Sequence, residues 1–225
     1  MRRIAPFCIC ALLSGCIPQR NFNKPLGYTL SETMSHRGKI GNESLEVYLR
    51  NVVESGIFTP KTVSDLRKVR LEIDNQHPNL HAGFIPQLDK IIVEQPERFP
   101  DRYAMESYMV HEIMHREINF FCTDAEMDVL QKAAKTIYLC LKDTLVIDDQ
   151  TSDYVRRNQE RLSQSVKTLD SGHYAPMDDR KRFGEEFYCV LMQLTYTGVA
   201  RGRRFTALSV MPPQTRGILM RFLSP

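Results

Sequence analysis

The residues best suited to chemistry in this chain are two histidines and a glutamate in one short segment, His111-Glu112-Ile113-Met114-His115. In an α-helix, positions i and i+4 lie on the same face, so both imidazoles can reach one metal ion. Glu112 is turned towards the same cleft, where a carboxylate can take a proton from an attacking water. The spacing therefore predicts a catalytic Zn²⁺ site with His111 and His115 as ligands and Glu112 as general base.

The sequence around this segment has the pattern of a buried helix. From Asp101 to about Ile118, apolar residues occupy most of the helix circumference, which is typical of an enclosed element. Histidines and a glutamate in such a helix need partners, because unpaired polar groups are costly when buried. A metal ion is one solution. The alternative is that each histidine bonds to a backbone carbonyl and Glu112 pairs with an arginine.

A catalytic zinc site requires a third protein ligand. No third histidine follows His115 at a suitable spacing, since Ile118 and Phe121 stand where a glycine and a histidine would be needed. The acidic pair Glu185 and Glu186, in a later predicted helix, is the remaining obvious source of a ligand.

Helix geometry distinguishes the two acids of this pair. At about 100° per residue, Glu186 lies at the margin of the apolar stripe of its helix, and Glu185 points almost opposite to it. A ligand must face inward, so Glu186 is the predicted third ligand and Glu185 is expected to face water. Asp124 and Glu126 are weaker candidates, because residues at the start of a helix explain them better. The stripe consists of Phe183, Phe187, Val190 and Leu194.

The HExxH segment resembles that of the zincin metallopeptidases. The order of predicted elements is similar to that of the anthrax lethal factor-like and Pro-Pro endopeptidase group, over residues 44 to 223. The tail MPPQTR, residues 211–216, is similar to a recurring tail of that group. The resemblance implies a gluzincin-type peptidase in which His111, His115 and Glu186 bind Zn²⁺.

The resemblance also implies a catalytic tyrosine. Members of the group place it seven residues before the third ligand, where this chain has Asp179. Tyr174 is the nearest tyrosine upstream and is the expected catalytic partner, donating a hydrogen bond to the developing oxyanion. His173 beside it is the alternative donor.

Hydrophobic periodicity predicts an α+β fold, in which a small N-terminal sheet and the HExxH helix precede a mainly helical C-terminal lobe. The resemblance implies that this fold is zincin-like. Thr123 and Glu126 form a predicted capping box. The predicted strands cover residues 69–73, 81–86 and 90–94, and the predicted helices cover 44–55, 60–67, 101–118, 124–141, 148–170, 178–197 and 218–223.

The composition is that of one globular domain with a full core, since 42% of the 225 residues are hydrophobic and 25% are charged. The net charge of +3 includes Arg2 and Arg3, which lie in a segment expected to be removed. The remaining charge, about +1 (3 − 2), is too small to favour nucleic acid as a partner. The predicted partners are a protein or peptide substrate and a membrane.

The membrane prediction comes from the N-terminus. Residues 1–15 have the basic start and short apolar stretch of a signal peptide, too short to span a bilayer. Leu13-Ser14-Gly15-Cys16 resembles the lipobox of bacterial lipoproteins, in which the cysteine becomes lipidated. Cys16 then begins a tether to residue 42, and residues 43–225 form the domain. The expected location is the cell envelope, with the outer membrane preferred in a diderm cell. The alternative is a secreted or periplasmic protein.

Three cysteines follow this region, Cys122, Cys140 and Cys189. An odd number in an oxidising compartment allows one disulfide and a free thiol, or three reduced cysteines. Their spacing resembles no zinc-cysteine site.

These observations predict a membrane-anchored zinc endopeptidase that hydrolyses peptide bonds of an extracytoplasmic protein or peptide. The alternative is a non-catalytic zincin-fold lipoprotein that binds a partner or a component of the envelope. Glu112 argues against it, because a metal-free core has no evident structural use for that carboxylate. A third alternative is a zinc hydrolase that acts on something other than protein. No charge cluster or aromatic stripe identifies the substrate.

Overall fold

The computed structural model describes residues 45–74, 81–94, 98–142, 149–170, 180–200 and 206–225. Helices dominate these residues and accompany one small sheet, so the predicted α+β class is confirmed. The predicted signal peptide, the predicted lipidation site Cys16 and the predicted tether lie outside the described residues, and so do His173 and Tyr174. Among the described helices, none combines the length and the apolar character needed to cross a bilayer.

The described part of the chain begins with two short helices. Helix α1 (Leu45–Glu54) buries one apolar face against the core. Helix α2 (Pro60–Leu66) begins where the Thr59 hydroxyl accepts a hydrogen bond from the backbone amide of Thr62. Pro60 occupies the first turn, where no backbone donor is needed. Both helices lie where the periodicity predicts them.

The sheet contains the three predicted strands, β1 (Arg70–Asp74), β2 (Ala82–Ile85) and β3 (Lys90–Glu94), in the order β1-β3-β2. Strand β3 is central and buried along its length, pairing in parallel with β1 and antiparallel with β2. Strand β2 is consequently an edge strand in the part of the chain that the structure describes.

Helix α3 (Arg102–Phe121) carries the HExxH segment. Its N-terminus is capped by Asp101, whose carboxylate accepts a hydrogen bond of 2.8 Å from the amide of Ala104. Buried residues surround most of the helix, as predicted, and the helix continues three residues beyond its predicted end at Ile118.

An ion-pair cluster fastens the sheet to α3. Asp89, in the turn between β2 and β3, has a φ of +43°. The Arg116 guanidinium donates to both Asp89 carboxylate oxygens, at 2.6 and 2.9 Å, and to Glu117 at 2.6 Å. The Thr62 hydroxyl donates to the second Glu117 oxygen. These bonds satisfy the buried charges and hold the β2–β3 turn beside the HExxH segment.

Three long helices complete the core, namely α4 (Asp124–Leu141), α5 (Asp149–Asp170) and α6 (Arg180–Ala200). The predicted capping box of Thr123 and Glu126 is confirmed at the start of α4. Helix α6 packs against α3, α4 and α5, so it occupies the middle of the helical part.

A glycine allows α6 to approach α4 closely. The amide of Gly184 donates a hydrogen bond to the side-chain oxygen of Gln131, and a Cβ atom at Gly184 would lie 2.7 Å from the Gln131 Cα. A larger residue would push the helices apart, so Gly184 helps to set the position of the acidic pair that follows it.

The C-terminal segment returns to the start of the domain. Helix α7 (Arg216–Leu219) is a single turn, and Leu223 then pairs with Phe58 in an isolated bridge. The prediction of a closing helix over 218–223 is therefore wrong in its bounds, because the last residues leave the helix to make this bridge.

Candidate metal centre

The two histidines of α3 face each other across one helical turn. Their Nε2 atoms are 3.1 Å apart, and both side chains are largely buried. The Nδ1 atom of His111 lies 3.0 Å from the Gln193 side-chain oxygen, and that of His115 lies 2.5 Å from Glu185 Oε1. An oxygen acceptor at Nδ1 holds a proton there, so Nε2 is the nitrogen that can bind a metal ion in the neutral form of each imidazole.

Glu186 meets both imidazoles. Its Oε2 atom lies 3.4 Å from the Nε2 atom of His111 and 3.4 Å from that of His115. This oxygen is buried, yet it makes no hydrogen bond among the described residues. Burial acts to raise the pKa of Glu186, but the two imidazoles outweigh it and hold the pKa well below its usual range. The carboxylate is therefore charged and directed at the histidine pair.

Cys189 lies beside the same pair, one turn beyond Glu186 on α6. Its sulfur and one ring nitrogen from each of His111 and His115 all lie within 4.8 Å of one another. Cys189 is fully buried, and it is reduced, as are Cys122 and Cys140. His111, His115 and Cys189 thus form a group that could hold a metal ion.

Glu112 is enclosed between the histidine pair and β2. It is 5% exposed, and the backbone of Phe84 in β2 hydrogen-bonds to its carboxylate. Burial raises the pKa of Glu112; His111 and His115 offset this only in part. A carboxylate whose pKa lies closer to neutrality is a better proton acceptor at physiological pH.

The partners of these polar side chains differ from those of the metal-free alternative. The Nδ1 atoms of His111 and His115 face side-chain oxygens, and backbone carbonyls do not serve as their Nδ1 partners. Arg116, the arginine nearest to Glu112 along α3, pairs with Asp89 and Glu117 instead.

The expectation that Glu185 faces water is wrong. Its side chain is only 14% exposed, and Oε1 lies 2.5 Å from His115 Nδ1 and 2.5 Å from Asn119 Nδ2. Helix α6 lies so close to α3 that its two adjacent acids reach opposite nitrogens of one imidazole, Glu186 towards Nε2 and Glu185 towards Nδ1. The apolar stripe marks the centre of the buried face but not its full width.

Gln193 supports the other histidine and is in turn held by a tyrosine. The Gln193 side chain contacts His111 through its oxygen, and it also hydrogen-bonds to the Tyr108 hydroxyl. In this arrangement the Gln193 NH₂ group donates to the Tyr108 hydroxyl while the Gln193 oxygen faces His111. The chain from Tyr108 to His111 therefore orients a predicted ligand.

Sequence reasoning missed Cys189, Gln193 and Tyr108. The sequence could have indicated two of them. Cys189 and Gln193 stand three and seven positions after Glu186 and thus share its helix face. Of the weaker candidates, Glu126 caps α4 and pairs with Arg221 at 3.0 Å, as expected of a residue at a helix start.

Comparison with known proteins finds no matching family model, no similar curated protein and no similar solved structure. The chemistry of the site must therefore be inferred from its own geometry.

Proposed function

We propose that the protein is a zinc-dependent endopeptidase with a zincin-like site, in which His111, His115 and Glu186 bind the metal. The observation that supports this most strongly is the triangle of their ligand atoms, with sides of 3.1, 3.4 and 3.4 Å. Ligand atoms at 2.0–2.1 Å from a tetrahedral zinc ion are about 3.3 Å apart. A cation among these three atoms would also give a direct ligand contact to the buried Glu186 oxygen, which makes no hydrogen bond among the described residues.

The side chains around the triangle have the roles that hydrolysis requires. Zinc, when bound, acts as a Lewis acid and lowers the pKa of water towards about 7. Glu112 accepts the proton of the attacking water and then delivers it to the leaving amine. Glu185 and Gln193 hold the imidazole rings in place through Nδ1. Tyr174, or His173 beside it, is the proposed donor to the oxyanion.

The position of β2 favours a peptide as substrate. This strand lies at the edge of the sheet, and the backbone of its Phe84 reaches Glu112. A strand edge without a neighbouring strand can bind an extended peptide by adding it to the sheet through backbone hydrogen bonds. A peptide bound along β2 would pass beside the proposed base, where its carbonyl could be attacked.

The test begins with metal analysis of the purified protein. We expect about one equivalent of zinc per chain, and loss of nearly all of it in the double variant His111→Ala, His115→Ala. Zinc retained at full stoichiometry in that variant would disprove the proposed site.

A second measurement separates the enzyme from a non-catalytic metal-binding lipoprotein. Glu112→Gln should keep zinc but lose peptide hydrolysis by at least about a hundredfold, the scale of general-base catalysis. The matched control is Glu160→Gln, a change at an exposed residue of α5. Wild-type protein that binds zinc but cleaves no member of a diverse peptide library would favour the binding protein or a hydrolase with another substrate.

We also propose that Cys16 carries lipid and anchors the protein in the cell envelope. The support is the lipobox-like segment Leu13-Ser14-Gly15-Cys16 after a signal-like stretch. Cys16→Ser should move the protein from the detergent phase to the aqueous phase. If this change and globomycin both leave its processing and partitioning unaltered, the anchor is absent and secretion to the periplasm or medium is favoured.

A further inference from the structure

Cys189 belongs to the metal centre but has no part in the reaction proposed above. It lies on the α6 face that presents Glu186 and Gln193, and it is completely buried. Its thiol is reduced and lies within hydrogen-bonding reach of His115. A sulfur so close to two imidazoles adds a soft ligand to a site that already has three harder ones.

The distances allow sulfur to bind an ion held by the histidines. Bonds of about 2.3 Å to sulfur and 2.0–2.1 Å to nitrogen place these ligand atoms about 3.5 Å apart in a tetrahedral zinc site. In the structure the sulfur and the two nitrogens lie within 4.8 Å of one another. A sulfur movement of about 1 Å towards the histidine pair would close that difference.

We propose that Cys189 is a fourth zinc ligand that closes the site at rest. This inference rests on the proposed function, since it requires the ion held by His111, His115 and Glu186. On binding, the thiol releases its proton to solvent and the sulfur takes the position that the attacking water needs. When water replaces the sulfur, the thiolate takes up a proton again.

This arrangement would make the centre a switch between two types of zinc site. A site with four protein ligands is closed and structural, whereas a site with three ligands and water is catalytic. Exchange of Cys189 for water converts one into the other without removing the metal. Because thiolate prefers soft ions, the closed form should favour Cd²⁺ over Zn²⁺ more than the same site without sulfur does.

Cobalt substitution tests the proposal directly, independently of any activity. We expect wild-type protein loaded with Co²⁺ to show the visible bands of tetrahedral cobalt and a near-ultraviolet band of sulfur-to-cobalt charge transfer. Cys189→Ser should lose the charge-transfer band and keep cobalt, and its preference for Cd²⁺ over Zn²⁺ should fall at least about tenfold. The control is Cys140→Ser in the last turn of α4, which should retain the band.

The outcomes distinguish this inference from the function on which it rests. Stoichiometric cobalt without a sulfur band in the wild-type protein overturns the role of Cys189 but leaves the zinc site in place. Failure of the wild-type protein to bind cobalt overturns both. If Cys189→Ser does not fold, ¹¹³Cd NMR of the wild-type protein replaces it, because thiolate ligation shifts the resonance strongly. A shift that indicates only nitrogen and oxygen ligands also overturns the proposal.

Discussion

Replacing Glu185 with alanine tests whether α6 presents two acids to the metal centre in different roles. The Glu185 carboxylate accepts hydrogen bonds of 2.5 Å from His115 and from Asn119, and it is shielded from solvent. Loss of such a partner behind a metal-binding histidine typically reduces metal affinity by 10–100-fold, which corresponds to about 1.4–2.8 kcal/mol. Glu185→Gln keeps an acceptor but loses the charge, so it should fall between alanine and wild type.

The assay is competition for zinc against a chromophoric chelator of known affinity. Glu186→Ala should weaken binding more than Glu185→Ala, because it removes a proposed ligand. The matched control is Glu160→Ala, an exposed acid of α5 that should leave the zinc affinity unchanged. A Glu185→Ala affinity within about twofold of wild type would refute the supporting role. A greater loss for Glu185→Ala than for Glu186→Ala would mean that the two acids exchange roles.

Three further predictions address other contacts of the site. Gln193→Leu should weaken zinc binding about tenfold in the same competition assay, since His111 loses its Nδ1 acceptor. Gly184→Ala should lower the free energy of unfolding in urea by about 1–3 kcal/mol, whereas Gly217→Ala, with open space for its methyl group, should not. In the metal-free protein, burial acts to lower the pKa of His115. Cys189 and the carboxylates of Glu185 and Glu186 act in the opposite direction and outweigh burial, so the pKa of His115 is raised. Zinc must then displace a proton, so affinity should rise with pH and calorimetry in two buffers should detect proton release.

Periodicity was sufficient to predict the helix that carries the HExxH segment. Apolar residues occupy most of the circumference of α3, so its burial could be predicted from their distribution along the sequence. The i, i+4 spacing placed both histidines on one face of the helix. The three strands were also found, because β-branched runs and alternation stand between clear turn residues. Local signals of this kind need no knowledge of neighbouring elements.

The role of Glu185 could not be predicted from hydrophobic periodicity. An apolar stripe locates the buried face of a helix from its hydrophobic residues, and polar residues that are buried through hydrogen bonds fall outside that count. Glu185 is enclosed because α3 offers it an imidazole and an amide, 70 and 66 positions away in the chain. These partners are identified only once the packing of α6 against α3 is known.

Two long-range polar contacts support the apolar packing that places those helices. Glu106 of α3 accepts a 2.5 Å hydrogen bond from Tyr196 of α6, and Gly184 near the other end of α6 is held against Gln131 of α4. The two attachments are 12 residues apart (196 − 184), or about 18 Å along the helix. Glu186, Cys189 and Gln193 all lie between them. A helix fixed at two such points cannot rotate freely, so these three side chains are aimed at the histidine pair before any ion arrives. Preorganisation of this kind reduces the cost of ordering the ligands when a metal binds.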